Sequence, residues 1–177
     1  MMMFRKYASQ RRAGTMLTVF CALIALSVAG CGLSGGGAGD DGSTRDASGV
    51  IIEGGSVGVN VLQLGDCFND SAAGDGADIT SVDAVPCPVP HDNEVYYLGA
   101  LPETEFPGES MVEELVSDQC LTVFEAFAGI GYAESQLEIS YIYPSEGSWN
   151  SGDRGYICTV YDVSLSKLEG SMRGRGY

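Results

Sequence analysis

His91 is the only histidine among 177 residues, and it stands in the run Pro90-His91-Asp92-Asn93-Glu94. An imidazole beside carboxylates suits general acid/base chemistry or a metal ligand. A catalytic zinc, however, takes three protein ligands with histidines among them, and one histidine makes that hard to assemble. No Gly-x-Ser-x-Gly is set between a strand and a helix as a nucleophile elbow for His91 to serve. His91 therefore reads first as a structural residue capping the turn before a strand. Ligand contact through His91 and Glu94 is the second reading and catalysis the last. Trp149 and Arg154, in SWNSGDRG, offer an aromatic face beside a guanidinium, a pairing that binds a carbohydrate or a peptide. The simpler expectation packs Trp149 over a sheet and pairs Arg154 with a local carboxylate. The loop 69–78 contains Asp70, Asp75 and Asp78 but not the alternating spacing of a calcium loop. With no P-loop, Rossmann glycine pattern or Cys-x-x-Cys, no metal, cofactor or catalytic residue is expected.

The remaining chemistry belongs to cysteines. Residues 1–12 carry Arg5, Lys6, Arg11 and Arg12 and no acid, and residues 16–28 (MLTVFCALIALSV) form an apolar run. A basic segment before an apolar run of that length fits a secretory signal. It is shorter than the roughly 20 apolar residues that cross a bilayer. Val28-Ala29-Gly30-Cys31 closes it with small residues that let a peptidase seat the backbone, before a thiol that can take a diacylglycerol. These four residues resemble the lipobox of bacterial lipoproteins, which implies a signal peptide over 1–30 and lipidation at Cys31. Cys21, inside the run, reads as a small apolar residue. Residues 31–56 are rich in Gly, Ser and Asp and read as a flexible tether. The expected partner on this side is the cell membrane, reached from its extracytoplasmic face through the lipid on Cys31.

Four of the nine basic residues, and none of the 24 acids, fall in the first 30. Without them five basic residues face 24 acids, a net charge of −19. Such a surface repels nucleic acid, so no nucleic-acid partner is expected. Setting aside Cys21 and Cys31 leaves Cys67, Cys87, Cys120 and Cys158, an even number that reads as two disulfides in an exported domain. Four cysteines allow three pairings. Cys67–Cys87 with Cys120–Cys158 is favoured because each bond then joins elements adjacent in the chain. A zinc cluster would need close cysteine pairs, and the nearest spacing here is twenty residues.

The elements that must position these groups follow from periodicity. Residues 57–64, 79–85, 94–101, 138–143 and 156–163 alternate or carry β-formers and read as strands. One helix opens at Pro107-Gly108-Glu109-Ser110, with Met111, Val112, Leu115, Val116, Cys120, Val123, Phe124 and Phe127 at three- and four-residue spacing and Gly129 or Gly131 to end it. The fold class is α+β: an antiparallel sheet with one main helix on a face, stapled by two disulfides. The domain is expected over 57–173, with 174–177 as a short tail.

Four segments in order, LGDCF at 64–68, VPCPVPHDNEV at 85–95, FPG at 106–108 and W-x2-GDR-x3-C at 149–158, resemble the septum formation family of actinobacterial envelopes. Leu168-Glu169-Gly170-Ser171-Met172 also looks like that family's closing Gly-Ser pair. The resemblance implies that the four cysteines are framework residues and that His91 and Glu94 belong to the family signature. It implies an envelope domain without a defined activity. The expectation is a non-catalytic, membrane-anchored binding or structural module that meets an envelope protein or wall component through His91, Glu94, Trp149 and Arg154. The alternative is a small extracytoplasmic hydrolase or metal-dependent enzyme using His91 and nearby carboxylates.

Overall fold

A computed structural model describes residues 2–6, 41–70 and 78–177. In chain order these hold β1 (Met2–Lys6), β2 (Thr44–Arg45), β3 (Ile51–Glu53), β4 (Gly55–Gly58), β5 (Cys67–Asn69), β6 (Asp78–Ile79), β7 (Ser81–Val85) and β8 (Asn93–Ala100). There follow α1 (Glu109–Ala128), β9 (Leu137–Pro144), α2 (Glu146–Asn150) and β10 (Gly155–Asp162). Eight strands form one sheet in the order β4-β7-β5-β8-β10-β9-β1-β6, while β2 and β3 pair separately. Every pairing is antiparallel.

The sheet separates two apolar clusters by strand alternation. Tyr156, Cys158 and Val160 of β10 face α1 together with Ile139, Tyr141 and Tyr143 of β9. Ile157 and Ile142 face the other way, onto Val57, Phe68, Ile79 and Val82. Helix α1 buries Val112, Val116, Cys120, Phe124 and Phe127, a stripe at its i, i+4 spacing. Burial of each large side chain is worth about 1.5–3 kcal/mol. Gly129, at φ 77°, closes the helix in the left-handed conformation with its N–H on the Glu125 carbonyl. Both disulfides join the expected partners, Cys67 to Cys87 with Cα atoms 5.2 Å apart and Cys120 to Cys158 at 5.5 Å. The second bolts α1 to the central strand. At the β8–β10 junction Cys158 pairs with Tyr97 and Thr159 with Val95, so Tyr96 is an extra, bulged residue. Its hydroxyl donates to the Cys120 carbonyl at 2.8 Å.

Several expectations need correction. The strand expected over 57–64 stops at Gly58, whose partner Ser81 is the first residue of β7; the Val59 N–H still donates to the Thr80 carbonyl at 3.0 Å, and the chain turns through a 3-10 segment, Val59–Val61. The stretch expected as tether is folded from Asp41 onward. Arg45 grips the Asp66 carboxylate with both terminal nitrogens, at 2.7 and 2.8 Å, and Ile51 is buried. Asp46 takes the N–H groups of Ser48 and Val50, which makes the turn between β2 and β3. Cys67–Asn69, outside the expected strands, is β5, and α2 lies between the expected strands 138–143 and 156–163. Residues 174–177 are bonded rather than loose: Gly174 N–H donates to Phe127 and Gly176 N–H to Ala128, satisfying carbonyls at the end of α1. Met2–Lys6, the start of the expected signal, fills a place in the sheet between β9 and β6. Cys21, the apolar run, Cys31, the tether to residue 40 and Asp75 lie outside the described residues.

Candidate functional site

Glu94 opens β8 on the side that faces the closing segment of the chain. Its Oε1 accepts the Ser171 hydroxyl and its Oε2 the Met172 N–H, both at 2.6 Å. Only 1% of Glu94 is exposed. His91 is wholly buried, and its backbone exchanges two hydrogen bonds with Leu168, at 3.0 and 2.8 Å. The His91 Nδ1–H donates to the Val89 carbonyl at 2.8 Å. Nε2 is buried and has no partner among the described residues. Gly170 N–H donates to the Cys87 carbonyl. The three segments LGDCF, VPCPVPHDNEV and LEGSM thus form one knot, closed by Cys67–Cys87.

Trp149 and Arg154 form a second knot. The guanidinium lies 3.9 Å above the Trp149 ring. Its N–H groups donate to the carbonyls of Glu103, Thr104, Trp149 and Asp153 at 2.7–3.0 Å. Phe106, from FPG, meets Trp149 edge-on at 5.6 Å between ring centres. Trp149 is 2% exposed. Contrary to expectation, Arg154 bonds backbone carbonyls rather than a carboxylate, because the loop 101–106 brings two of them within reach of its planar fork.

The structure therefore brings His91 to Glu94 and Trp149 to Arg154, but not the two pairs together. Glu94 pairs with Val160 near the start of β8, while Leu101, just past its end, bonds the Arg154 carbonyl. Seven residues of strand separate them, roughly 20 Å at 3.3 Å per residue. Three of the four side chains are buried, so they do not make the exposed contact surface expected of them. Nor does a nucleophile face His91. The string Gly54-Gly55-Ser56-Val57-Gly58 matches Gly-x-Ser-x-Gly, but Ser56 lies within β4, exposed and without positive φ, and is no elbow. Among the described residues no group of three or more His, Cys, Asp or Glu gathers as a metal could require, and no helix is long and apolar enough to cross a membrane.

Openings to solvent lie elsewhere. A cleft of about 1100 Å³ sits where β1 and β6 end the sheet. Met2, Val59, Leu62 and Ile79 supply apolar wall, and Asp78, Glu109, Glu146 and Asp153 supply four carboxylates with no Lys or Arg among the lining residues. At the other end of the same edge lies a polar cluster. Lys167 donates to Asn69 and to Asp92, which also accepts the Asp70 N–H. Burial pushes the Asp92 carboxyl up, but the Lys167 and Asp70 hydrogen bonds and the nearby lysine charges outweigh it and hold the group below the usual carboxylate range. Asn93 donates to Asp70, and Ser140 and Thr159 bond each other beneath it. The sequence singled out Asp70 and Asp78 only as a loop without calcium spacing; nothing in it joined them to Asp92, Glu109, Glu146 and Asp153, which come from other segments.

Fold and site together define a disulfide-stapled α+β domain whose signature residues close the structure and whose open face is an acidic sheet edge. A family model described as "Septum formation" matches residues 64–175, more than half of the chain. The chain belongs to the septum formation family, as the four quoted segments implied. Neither the curated proteins nor the solved structures contain a match.

Proposed function

We propose that the chain is an exported lipoprotein, cut before Cys31 and held to the membrane there, whose folded domain is a non-catalytic binding module of the cell envelope acting in septum formation or wall assembly. The family supports a role in division or the envelope. The sequence supports the anchor: a basic segment, an apolar run and Val-Ala-Gly-Cys. Two disulfides suit an oxidising compartment outside the cytoplasm.

The observation that carries the binding reading is the use made of the signature residues. His91, Glu94, Trp149 and Arg154 are all spent on closing the chain, while Asp78, Glu109 and Glu146 beside the sheet edge stay exposed. An acid/base enzyme needs its base within reach of substrate, and the His91 ring is fully buried. Cells expressing the wild type and a Cys31→Ala variant, grown with labelled palmitate, test the anchor: label is expected on the wild type alone. Label on both proteins, or on neither, refutes it. A fluorescent fusion is expected to concentrate at division sites, and uniform envelope staining refutes the septal setting.

A further inference from the structure

Met2–Lys6 shows what the outer edge of β9 accepts. Strand β1 pairs along it from Met2 opposite Pro144 to Lys6 opposite Ser140. Met2 and Phe4 point into the cluster of Ile79, Ile142 and Ile157 and are 6% and 7% exposed. The next two residues are caught by charge. Arg5 meets the Glu113 carboxylate at 3.0 Å, and Lys6 meets Asp70 while lying 4.5 Å over the Tyr161 ring. Glu113 accordingly raises the Arg5 pKa above its ordinary value.

Two observations set this strand apart from the domain. The family match begins at residue 64, so β1 is not part of the shared unit. The same residues also form the basic start of the segment that the processing proposed above removes. Once they leave, β9 from Ser140 to Pro144 is an open edge, β6 loses the one strand it pairs with among the described residues, and the acids Glu113 and Asp70 lose these cations. An exposed edge of this kind is a template for strand addition. The cleft beside it carries four further carboxylates.

We propose that in the processed protein the edge of β9 is a docking site for an extended segment of a partner protein, with apolar residues at alternate positions followed by two basic ones. The proposal rests on the processing described above and names the partner's chemistry. The alternating pair fills the places of Met2 and Phe4, the first basic residue reaches Glu113 and the second reaches Asp70. Backbone bonds to β9 supply affinity, and the net acidity of the domain draws such a segment in.

The test uses the lipoprotein purified from cells in detergent, with its intact mass recorded. A labelled peptide of residues 1–9 (MMMFRKYAS) is titrated against it by fluorescence anisotropy, alongside peptides carrying Phe4→Pro or Arg5→Glu. Saturable binding is expected, weakened roughly tenfold or more by Phe4→Pro, which removes the buried ring and fixes φ away from the extended strand. Glu113→Lys in the protein is expected to weaken the original peptide and to restore binding of the Arg5→Glu peptide. No binding, or equal binding of all three peptides, overturns the proposal while leaving the anchor reading intact. A dimer that excludes the peptide gives the edge to a second copy and also overturns it. A mass that still includes Met1 overturns the processing, and the open edge with it.

Discussion

The carboxylate of Glu94 accepts the backbone N–H of Met172 at 2.6 Å, across 78 residues of sequence. A buried side chain held by one backbone donor and one hydroxyl fixes where the closing segment sits. Glu94→Ala leaves the Met172 N–H without its acceptor and is expected to cost about 2–3 kcal/mol in urea unfolding. Glu94→Gln, which keeps one acceptor, is expected to cost less. Equal losses for both would show that the volume and the one acceptor Gln keeps contribute nothing, and that the effect rests on having both carboxylate oxygens.

Arg154 and Trp149 make a second bond of this kind that can be read optically, because Trp149 is the only tryptophan. Arg154→Lys keeps the charge but loses the planar fork that reaches four carbonyls. Its expected effects are a red-shifted tryptophan emission and a loss of about 1–3 kcal/mol. Unchanged emission with unchanged stability would mean that the stacking at 3.9 Å is incidental.

The disulfides differ in what they enclose. Their sequence separations are 20 for Cys67–Cys87 and 38 for Cys120–Cys158. The loop-entropy relation gives about 3 kcal/mol for the shorter and about 4 kcal/mol for the longer. Paired Cys→Ser variants are expected to fall in that order by thermal melting. The longer bond also ties helix to sheet, so its removal should open the larger apolar cluster to a hydrophobic dye.

Acid should weaken the domain through Asp92. Its folded-state carboxyl lies below the ordinary value: burial opposes ionisation, and bonds from Lys167 and the Asp70 N–H override it. A depressed carboxylate stabilises the fold above its unfolded pKa of about 3.9, and that contribution disappears as pH falls through the lower folded value. Urea midpoints measured downward from neutral pH should decline over that window, and Asp92→Asn should flatten the decline. Asp41 and Asp162, also lowered, contribute with the same sign.

The core was legible because it is periodic. Val112, Val116, Cys120, Phe124 and Phe127 announce a helix face, and Tyr156, Cys158 and Val160 announce a strand. The disulfide pairing followed from adjacency of those elements. What stayed hidden depends on contacts between distant segments. Arg45 looks like one charge in a glycine-rich stretch until Asp66 is folded against it. The pairing of Glu94 with the Ser171 and Met172 segment has no local signal at all. His91, Glu94, Trp149 and Arg154 stood out by residue type, yet type alone does not separate a ligand contact from a clasp. Burial does, and burial is a property of the whole sheet.

That sheet has a consequence for timing. Its central strand, β10, and the segment that locks onto Glu94 both lie in the last quarter of the chain, while their partners β8 and β9 come earlier. β8 and β9 do not pair with each other: each pairs with β10, so neither takes its final place in the sheet until β10 lies between them. Under the export proposed above, such a chain completes its sheet only after its trailing segment, through residue 172, has emerged.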